Sequence, residues 1–264
     1  MLVLRDLHTI DEFRHVVELE RQIWEYSDLA DVVTVPVFII TVKRGAILIG
    51  AFDEHDRMVG FVYSLVGMKN GKPMQWSHMA GVLAEYRGQG LGRDLKLAQR
   101  ERALAAGFDL IEWTFDPLQA ANAHLNFRKL GVVCDDYAEN IYGESSSVLH
   151  RGTPTDRLVV QWTIRDIHVE RCLRNEPRNL PAGEGGVSIE IPGAFTEMQR
   201  EAPDTALEWR MRTRESFQRH FAQGYRAVDF ELHGARRGGG HYLLARRELP
   251  HQGSAGSDVL PRRP

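Results

Sequence analysis

The residues with the clearest chemical potential are Arg87-Gly88-Gln89-Gly90-Leu91-Gly92. They follow a strand-like run ending Gly81-Val82-Leu83-Ala84-Glu85-Tyr86, and they open a segment whose apolar residues Leu91, Leu95, Ala98 and Ala105 share one helical stripe that stops at Gly107. A helix N-terminus presents unbonded backbone N–H groups and the positive end of the helix dipole, so a glycine turn leading into one can hold a phosphate through the main chain. A P-loop would require Lys-Ser or Lys-Thr after the glycines, and none is present. The dinucleotide fingerprint G-x-G-x-x-G also fails, because its last glycine would fall on Arg93 counted from Gly88, or on Leu95 counted from Gly90.

The flanking sequence predicts the elements that place this turn. Thr9 and Glu12 form a capping box, and Ile10, Phe13, Val16, Val17, Leu19, Ile23 and Trp24 then predict a helix over 9–26. Pro36 starts a second helix that ends near Gly45. Strands are predicted over 46–52, 58–68 and 75–82, with Asn70-Gly71 as a tight hairpin turn. After the glycine turn and its helix come a strand over 108–115, a break at Asp116-Pro117, a helix over 120–130 closed by Gly131, and strands over 132–142 and 158–164. A polar loop with Ser145-Ser146-Ser147 joins the last two strands.

The expected organisation is an α/β unit over 1–164, a short helix and linker over 165–186, a smaller strand-helix-strand-strand unit over 187–248, and a Gly-, Ser-, Pro- and Arg-rich tail over 249–264. In the second unit a strand over 187–191, one long helix over 195–222, and strands over 226–232 and 241–246 are predicted. Its helix ends Phe221-Ala222-Gln223-Gly224-Tyr225, much as the earlier one ends Phe127-Arg128-Lys129-Leu130-Gly131-Val132, and two strands follow each. The C-terminal part thus echoes the second half of the first unit.

Over 264 residues, 43% are hydrophobic and 26% charged, a globular composition rather than a disordered one. A net charge of −3 gives no global electrostatic footprint for nucleic acid or anionic membrane. The most apolar run, 32–42, is interrupted by Thr34, Pro36 and Thr41 and falls short of the ~20 residues that span a bilayer. Cys134 and Cys172 form no metal-ligand spacing, and His168 with Cys172 lacks further ligands, so no metal is expected. With no secretory signal at the start, a reducing cytoplasm is the expected compartment.

Arg87, Gly90 and Gly92 fit the pattern [QR]-x-x-G-x-[GA], which resembles the acyl-CoA-binding motif of the GCN5-related N-acetyltransferase (GNAT) superfamily. Asn122 to Gly131 resembles that superfamily's second CoA-side motif, and the order of elements over 1–164 is also similar. The resemblance implies an α/β (α+β) fold with a mixed, mostly antiparallel, splayed sheet flanked by helices. It further implies that Arg87, Gly88, Gln89, Gly90, Leu91, Gly92 and Arg93 wrap the diphosphate of CoA. Backbone groups near Gly81 and Val82 would meet the pantetheine arm between the splayed fourth and fifth strands, with Asn122 beside the cofactor.

The implied reaction is attack by an amine of a small molecule or peptide on the thioester of acetyl-CoA, the default donor. Alternatives are succinyl- or other acyl transfer onto amino acids, and a non-catalytic CoA-binding regulatory protein. The superfamily's usual acid is a tyrosine, and Phe127 stands in its place and cannot donate a proton. Tyr137 or Tyr142 on the next strand could replace it, water could protonate the thiolate, or the site is degenerate. His78, four residues before Val82 and expected on the same face, and Asp116, at the end of the fifth strand, are the candidate bases or ammonium-binding groups, each with an ordinary structural alternative. Arg128 and Lys129 could meet a CoA phosphate, Arg236-Arg237 beside Gly238-Gly239-Gly240 a carboxylate or phosphate. The extension after Gly186 could cover the acceptor cleft, extend the sheet or build a homodimer interface.

Overall fold

The computed structural model describes residues 2–26, 28–143, 152–176, 186–234 and 238–246. The Ser145-Ser146-Ser147 loop, most of the 175–186 linker, Arg236-Arg237 and the 249–264 tail lie outside the described residues. Among the described residues no helix is long and apolar enough to cross a membrane.

Thr9 opens α1 (Ile10–Trp24) through the expected capping box: its hydroxyl accepts from the Glu12 N–H while the Glu12 carboxylate accepts from the Thr9 N–H. Pro36 sits in the first turn of α2 (Val35–Val42). β1 (Val3–Asp6), β2 (Ile47–Phe52), β3 (Met58–Lys69) and β4 (Lys72–Val82) form an antiparallel series. Asn70 and Gly71 both adopt positive φ at the β3–β4 turn, which a two-residue hairpin of matching twist requires. The chain continues through α3 (Leu91–Ala105), β5 (Leu110–Phe115) and α4 (Ala120–Ala123). α4 runs into a π-helical segment, His124–Leu130, before β6 (Val133–Ala138) and β7 (Arg157–Thr163). α5 (Ile167–Leu173) leads to β8 (Val187–Ile191), α6 (Phe195–Glu201), α7 (Pro203–Ala222), β9 (Tyr225–Leu232) and β10 (Gly240–Arg246).

Two expectations are corrected. The single helix over 195–222 is two helices that part at Ala202, because Pro203 lacks an N–H and drives the preceding residue out of the helical region, here to φ −144°. β6 stops at Ala138 rather than 142, since Asn140, at φ 39°, turns the chain there.

The strands form one ten-stranded sheet in the order β1-β2-β3-β4-β5-β7-β6-β9-β10-β8. Its second half is internally symmetric: β5-β7-β6 is met by β9-β10-β8 in reverse, each trio built as strand, helix, hairpin. The halves join antiparallel at Cys134 opposite Ala227. Each of those residues lies three positions after a helix-ending glycine of positive φ, Gly131 at 75° and Gly224 at 81°, so the pairing falls on a local pseudo-two-fold. The C-terminal unit therefore extends the first sheet.

The seam is aromatic. Tyr242 packs edge-on against Phe127, Phe217 and Phe230, with centroids 4.8 to 5.5 Å apart, and its buried hydroxyl donates to the Pro117 carbonyl at 2.6 Å. Tyr242→Ala is expected to cost ~3–5 kcal/mol. Because the seam is shared, tryptophan fluorescence in denaturant, from Trp24, Trp76, Trp113 and Trp162 in the first unit and Trp209 in the second, should show a single transition at a lower midpoint. A transition at the wild-type midpoint would mean that the halves unfold independently.

Candidate functional site

β4 and β5, the sheet's parallel neighbours, pair only at Gln75 with Ile111 and Trp76 with Glu112. Beyond those pairs β4 continues from Ser77 to Val82 and β5 from Trp113 to Phe115 without joining, which opens a V-shaped gap in the sheet. A β-bulge on β4 lies just inside the gap: Tyr63 faces Met79 and Ser64 faces Ser77, leaving His78 as the extra residue. The bulge resets the alternation, so Ser77 reaches α3 while a Cβ on Gly81 would strike Ile23 and Trp24 of α1 at 2.8 Å. His78 accordingly packs by the Tyr63 ring on the α1–α2 side, 6.2 Å between centroids, whereas Val82 lies on the α3 side beside Gly60 and Leu91. The expected common face for His78 and Val82 is corrected on this ground.

The glycine turn is exposed from Arg87 to Gly90. Gly90 takes φ 95° as the N-cap of α3, and a Cβ built on Gly90 or Gly92 would meet nothing within 4 Å. Leu91 and Gly92, in the first helical turn, have no intrahelical acceptors for their amides. Open space over these N–H groups, at the head of a 15-residue helix, can accommodate an anion such as a diphosphate.

Other expected contacts are partly engaged elsewhere. Arg87 Nε donates to the Val82 carbonyl at 2.9 Å, so one of the β4 groups assigned to pantetheine has a partner within the chain. Gln89 donates to the Glu85 carbonyl, and Arg93 to the Leu173 carbonyl at the end of α5. Gly81 is accounted for by the close approach of α1. Asn122 is exposed on α4. Arg128 pairs with the buried Asp229 at 2.7 Å, and Lys129 donates to Asn175, so both have partners in the second unit or its linker.

The proton-transfer candidates separate. Burial pushes the Asp116 carboxyl up, but Arg210 more than offsets it through two hydrogen bonds of 2.7 and 2.8 Å and holds it below the ordinary carboxylate range. Asp116 also accepts from the Leu118 N–H, so it acts as a turn cap and ion-pair partner with both oxygens bound, an arrangement that corrects its role as base. Burial raises the Tyr137 hydroxyl, helped by Asp156, to which it donates at 2.8 Å in a cluster closed by Arg214; Tyr137 is thereby corrected as the acid facing the gap. Tyr142 is placed differently: exposed, with its hydroxyl 2.7 Å from Oγ1 of Thr114, a residue on the end of β5 that does not pair with β4. Desolvation by the surrounding protein draws the His78 imidazole below its ordinary 6.5, which favours its neutral form.

Two of the buried ionisable groups not expected from the sequence are shifted strongly by burial. Glu20 lies in the apolar stripe of α1 between Val16 and Ile23, and that position is its only signal in the sequence. Its Oε1 accepts from the Val33 N–H at 3.0 Å, its Oε2 has no hydrogen-bond partner among the described residues, and burial raises it to about 7. Tyr26, raised to about 12 by burial and then by Glu20, and Tyr63 stand near it. The second group, Lys96, is buried under the gap. Among the described residues no group of three or more His, Cys, Asp or Glu side chains could hold a metal.

No protein-family model matches the chain, and no curated protein matches it in sequence. Solved structures do resemble it. The ribosomal-protein-S18-alanine N-acetyltransferase from Escherichia coli is 16% identical, aligns over 68% of this chain and 99% of its own, and gives a TM-score of 0.50. An acetyltransferase of the GNAT family from Streptococcus pneumoniae is 18% identical over 61% of this chain and 98% of its own, at a TM-score of 0.48. A GNAT superfamily phosphinothricin acetyltransferase from Sinorhizobium meliloti, in complex with AcCoA, is 18% identical over 61% of this chain and 86% of its own, at a TM-score of 0.46. The chain has the GNAT acetyltransferase fold, with about a third of its length beyond the Escherichia coli structure.

Glu20 provides a sign-definite test. Its folded value of about 7 exceeds its ordinary 4.5, so the native state holds the extra proton between those values, and its contribution is full below pH 4.5 and lost as pH rises through 7. Wild-type stability minus that of Glu20→Gln should fall across this window by on the order of 3 kcal/mol. Denaturant titrations at several pH values would measure it, and a flat difference would place the Glu20 carboxyl in contact with water.

Proposed function

We propose that this chain is a CoA-dependent N-acyltransferase, moving an acyl group, acetyl by default, from CoA to the amine of a small molecule or peptide. The observation that carries the reading is the open glycine turn at the head of α3 beside the gap between β4 and β5. The amides of residues 88–92 would hold the diphosphate, and Arg87 would exchange the Val82 carbonyl for a phosphate oxygen. Freed backbone groups of β4 would meet the pantetheine amides, bringing the thioester to the bulge at His78.

At that point an amine attacks the thioester carbonyl, the C–S bond breaks, and the thiolate takes up a proton. Most of the acceleration comes from alignment and from backbone donors aimed at the oxyanion. Neutral His78 is placed to take a proton from the acceptor ammonium, and Tyr142, held at Thr114, to protonate the thiolate; each is worth ~10²–10⁴ in rate. Asp116 and Arg210 hold the end of β5, and Tyr137 with Asp156 holds the start of the turn that carries Tyr142.

Phe127 favours a second reading, a CoA-binding protein without turnover. It fills the place of the superfamily's tyrosine and lies in the core between Phe115 and Tyr242.

Thiol release from acetyl-CoA and succinyl-CoA across amino acids, polyamines, aminoglycosides and peptides separates the two. Turnover supports the enzyme, and CoA binding without turnover supports the second reading. Gly92→Asp is the cleaner probe of the turn, because Gly92 has an ordinary φ and open space, and an acidic residue suits a first helical turn. The variant should fold with unchanged stability and lose CoA affinity by more than about a hundredfold in calorimetry. Wild-type affinity would remove the proposed diphosphate site. Tyr142→Phe should lower kcat about 10²-fold while leaving KM for acyl-CoA unchanged. An unaltered kcat would assign thiolate protonation to solvent.

A further inference from the structure

Ser77 is the first β4 residue past the last pair with β5, and Trp113 is the first β5 residue past it. A single lysine side chain joins them. Lys96, from the second turn of α3 and only 5% exposed, donates from Nζ to Ser77 Oγ at 2.7 Å and to Gln99 Oε1 at 3.1 Å, and Nζ lies 3.8 Å from the centroid of the Trp113 ring. Gln99 Nε2 donates to the same Ser77 hydroxyl at 3.1 Å, closing a three-membered polar cluster. Trp113 is itself held edge-on by Trp162, whose indole N–H donates to the Leu130 carbonyl at 2.7 Å.

Among the described residues no carboxylate pairs with Lys96, and burial alone pulls its amine down to about 7. Leaving a lysine there is unfavourable for stability, since an unbranched apolar side chain would fill the same space without desolvating an amine. Its placement at the vertex of the gap offers a reason. Past Trp76 and Glu112, β4 and β5 present strand edges to each other, and each added ladder bond would be favourable, so the edges tend to zip shut. A group tied to β4 through a hydroxyl and seated on the indole of β5 fixes their spacing where zipping would begin.

We propose that Lys96 is a positioning residue, a strut at the vertex that keeps the β4–β5 gap wide enough to admit a pantetheine arm. The inference rests on the acyl-CoA reading of the gap, and one arm of its test does not. Lys96 acts through Ser77 and Trp113. It shapes the channel and leaves the glycine turn, at the head of the same helix, unchanged.

The test compares wild type with Lys96→Met, which keeps volume and a contact to the indole and loses the polar ties, and with Ser77→Ala, which loses the β4 anchor alone. Lys96→Met should melt no lower than wild type. By calorimetry its Kd for CoA should rise about tenfold or more. Its Kd for 3′-phosphoadenosine 5′-diphosphate, the half of CoA without pantetheine, should stay within about twofold. Ser77→Ala should shift in the same direction by less. KM for acyl-CoA should follow the CoA affinity, with kcat at saturation changing less. Without ligand, amide exchange over Ser77–Val82 should slow in Lys96→Met as the strands close. CoA affinity equal to wild type, equal weakening for both ligands, or unchanged exchange would each overturn the strut. Wild type binding neither ligand would instead overturn the CoA reading, and the exchange arm would still decide the role of Lys96.

Discussion

Everything in this molecule turns on two adjacent strands that pair for two residues and then part. A parallel strand pair normally continues, because each further ladder bond satisfies groups that are costly to leave unmade. Here continuation is blocked by local features on both strands. On β4 the bulge at His78 shifts the edge and re-aims the side chains, and at the vertex Lys96 stands between Ser77 and Trp113. On β5 the strand is paired along its other side to β7 and clamped at its end by Asp116 on Arg210. The gap is a built feature of the sheet, and the glycine turn sits at its mouth.

The C-terminal unit repeats strand, helix and hairpin on the far side of a pseudo-two-fold, and its role is visible in what it reaches. Arg210, 1% exposed on α7, binds Asp116, and Arg214 from the same helix binds Asp156, which in turn accepts from Tyr137 and the Asn140 backbone. Tyr242 packs on Phe127 and bonds the Pro117 carbonyl. These contacts hold the end of β5 and the turn after β6, the two segments that carry Thr114 and Tyr142. Phe127 is explained by the same packing: a ring enclosed by Phe115 and Tyr242 belongs to the seam between the units.

Much of this could be read from residue order. The capping box, the proline start of α2, the Asn70-Gly71 turn and the glycine turn are signals in which residue type dictates backbone conformation, and each formed as local chemistry requires. The echo between the helix ends at Gly131 and Gly224 marked a real symmetry, although pattern alone could not place Cys134 against Ala227. What stayed hidden depends on contacts between distant segments. A one-residue bulge moved His78 away from the face that strict alternation assigned to it. Asp116 and Tyr137 had the right residue types, but partners roughly ninety and twenty positions further along the chain claimed their oxygens. Glu20 sits inside the apolar stripe of α1 and Lys96 beside that of α3, and periodicity says nothing of what a buried charge will meet.

Amide hydrogen exchange with and without CoA is the most direct measurement, since the ligand is held by main-chain groups in the proposed complex. Bound CoA should slow exchange at Leu91 and Gly92 and along Met79–Val82, leaving α7 and β9 unchanged. Protection confined to the C-terminal unit, or none at the head of α3 under saturating CoA, would contradict it.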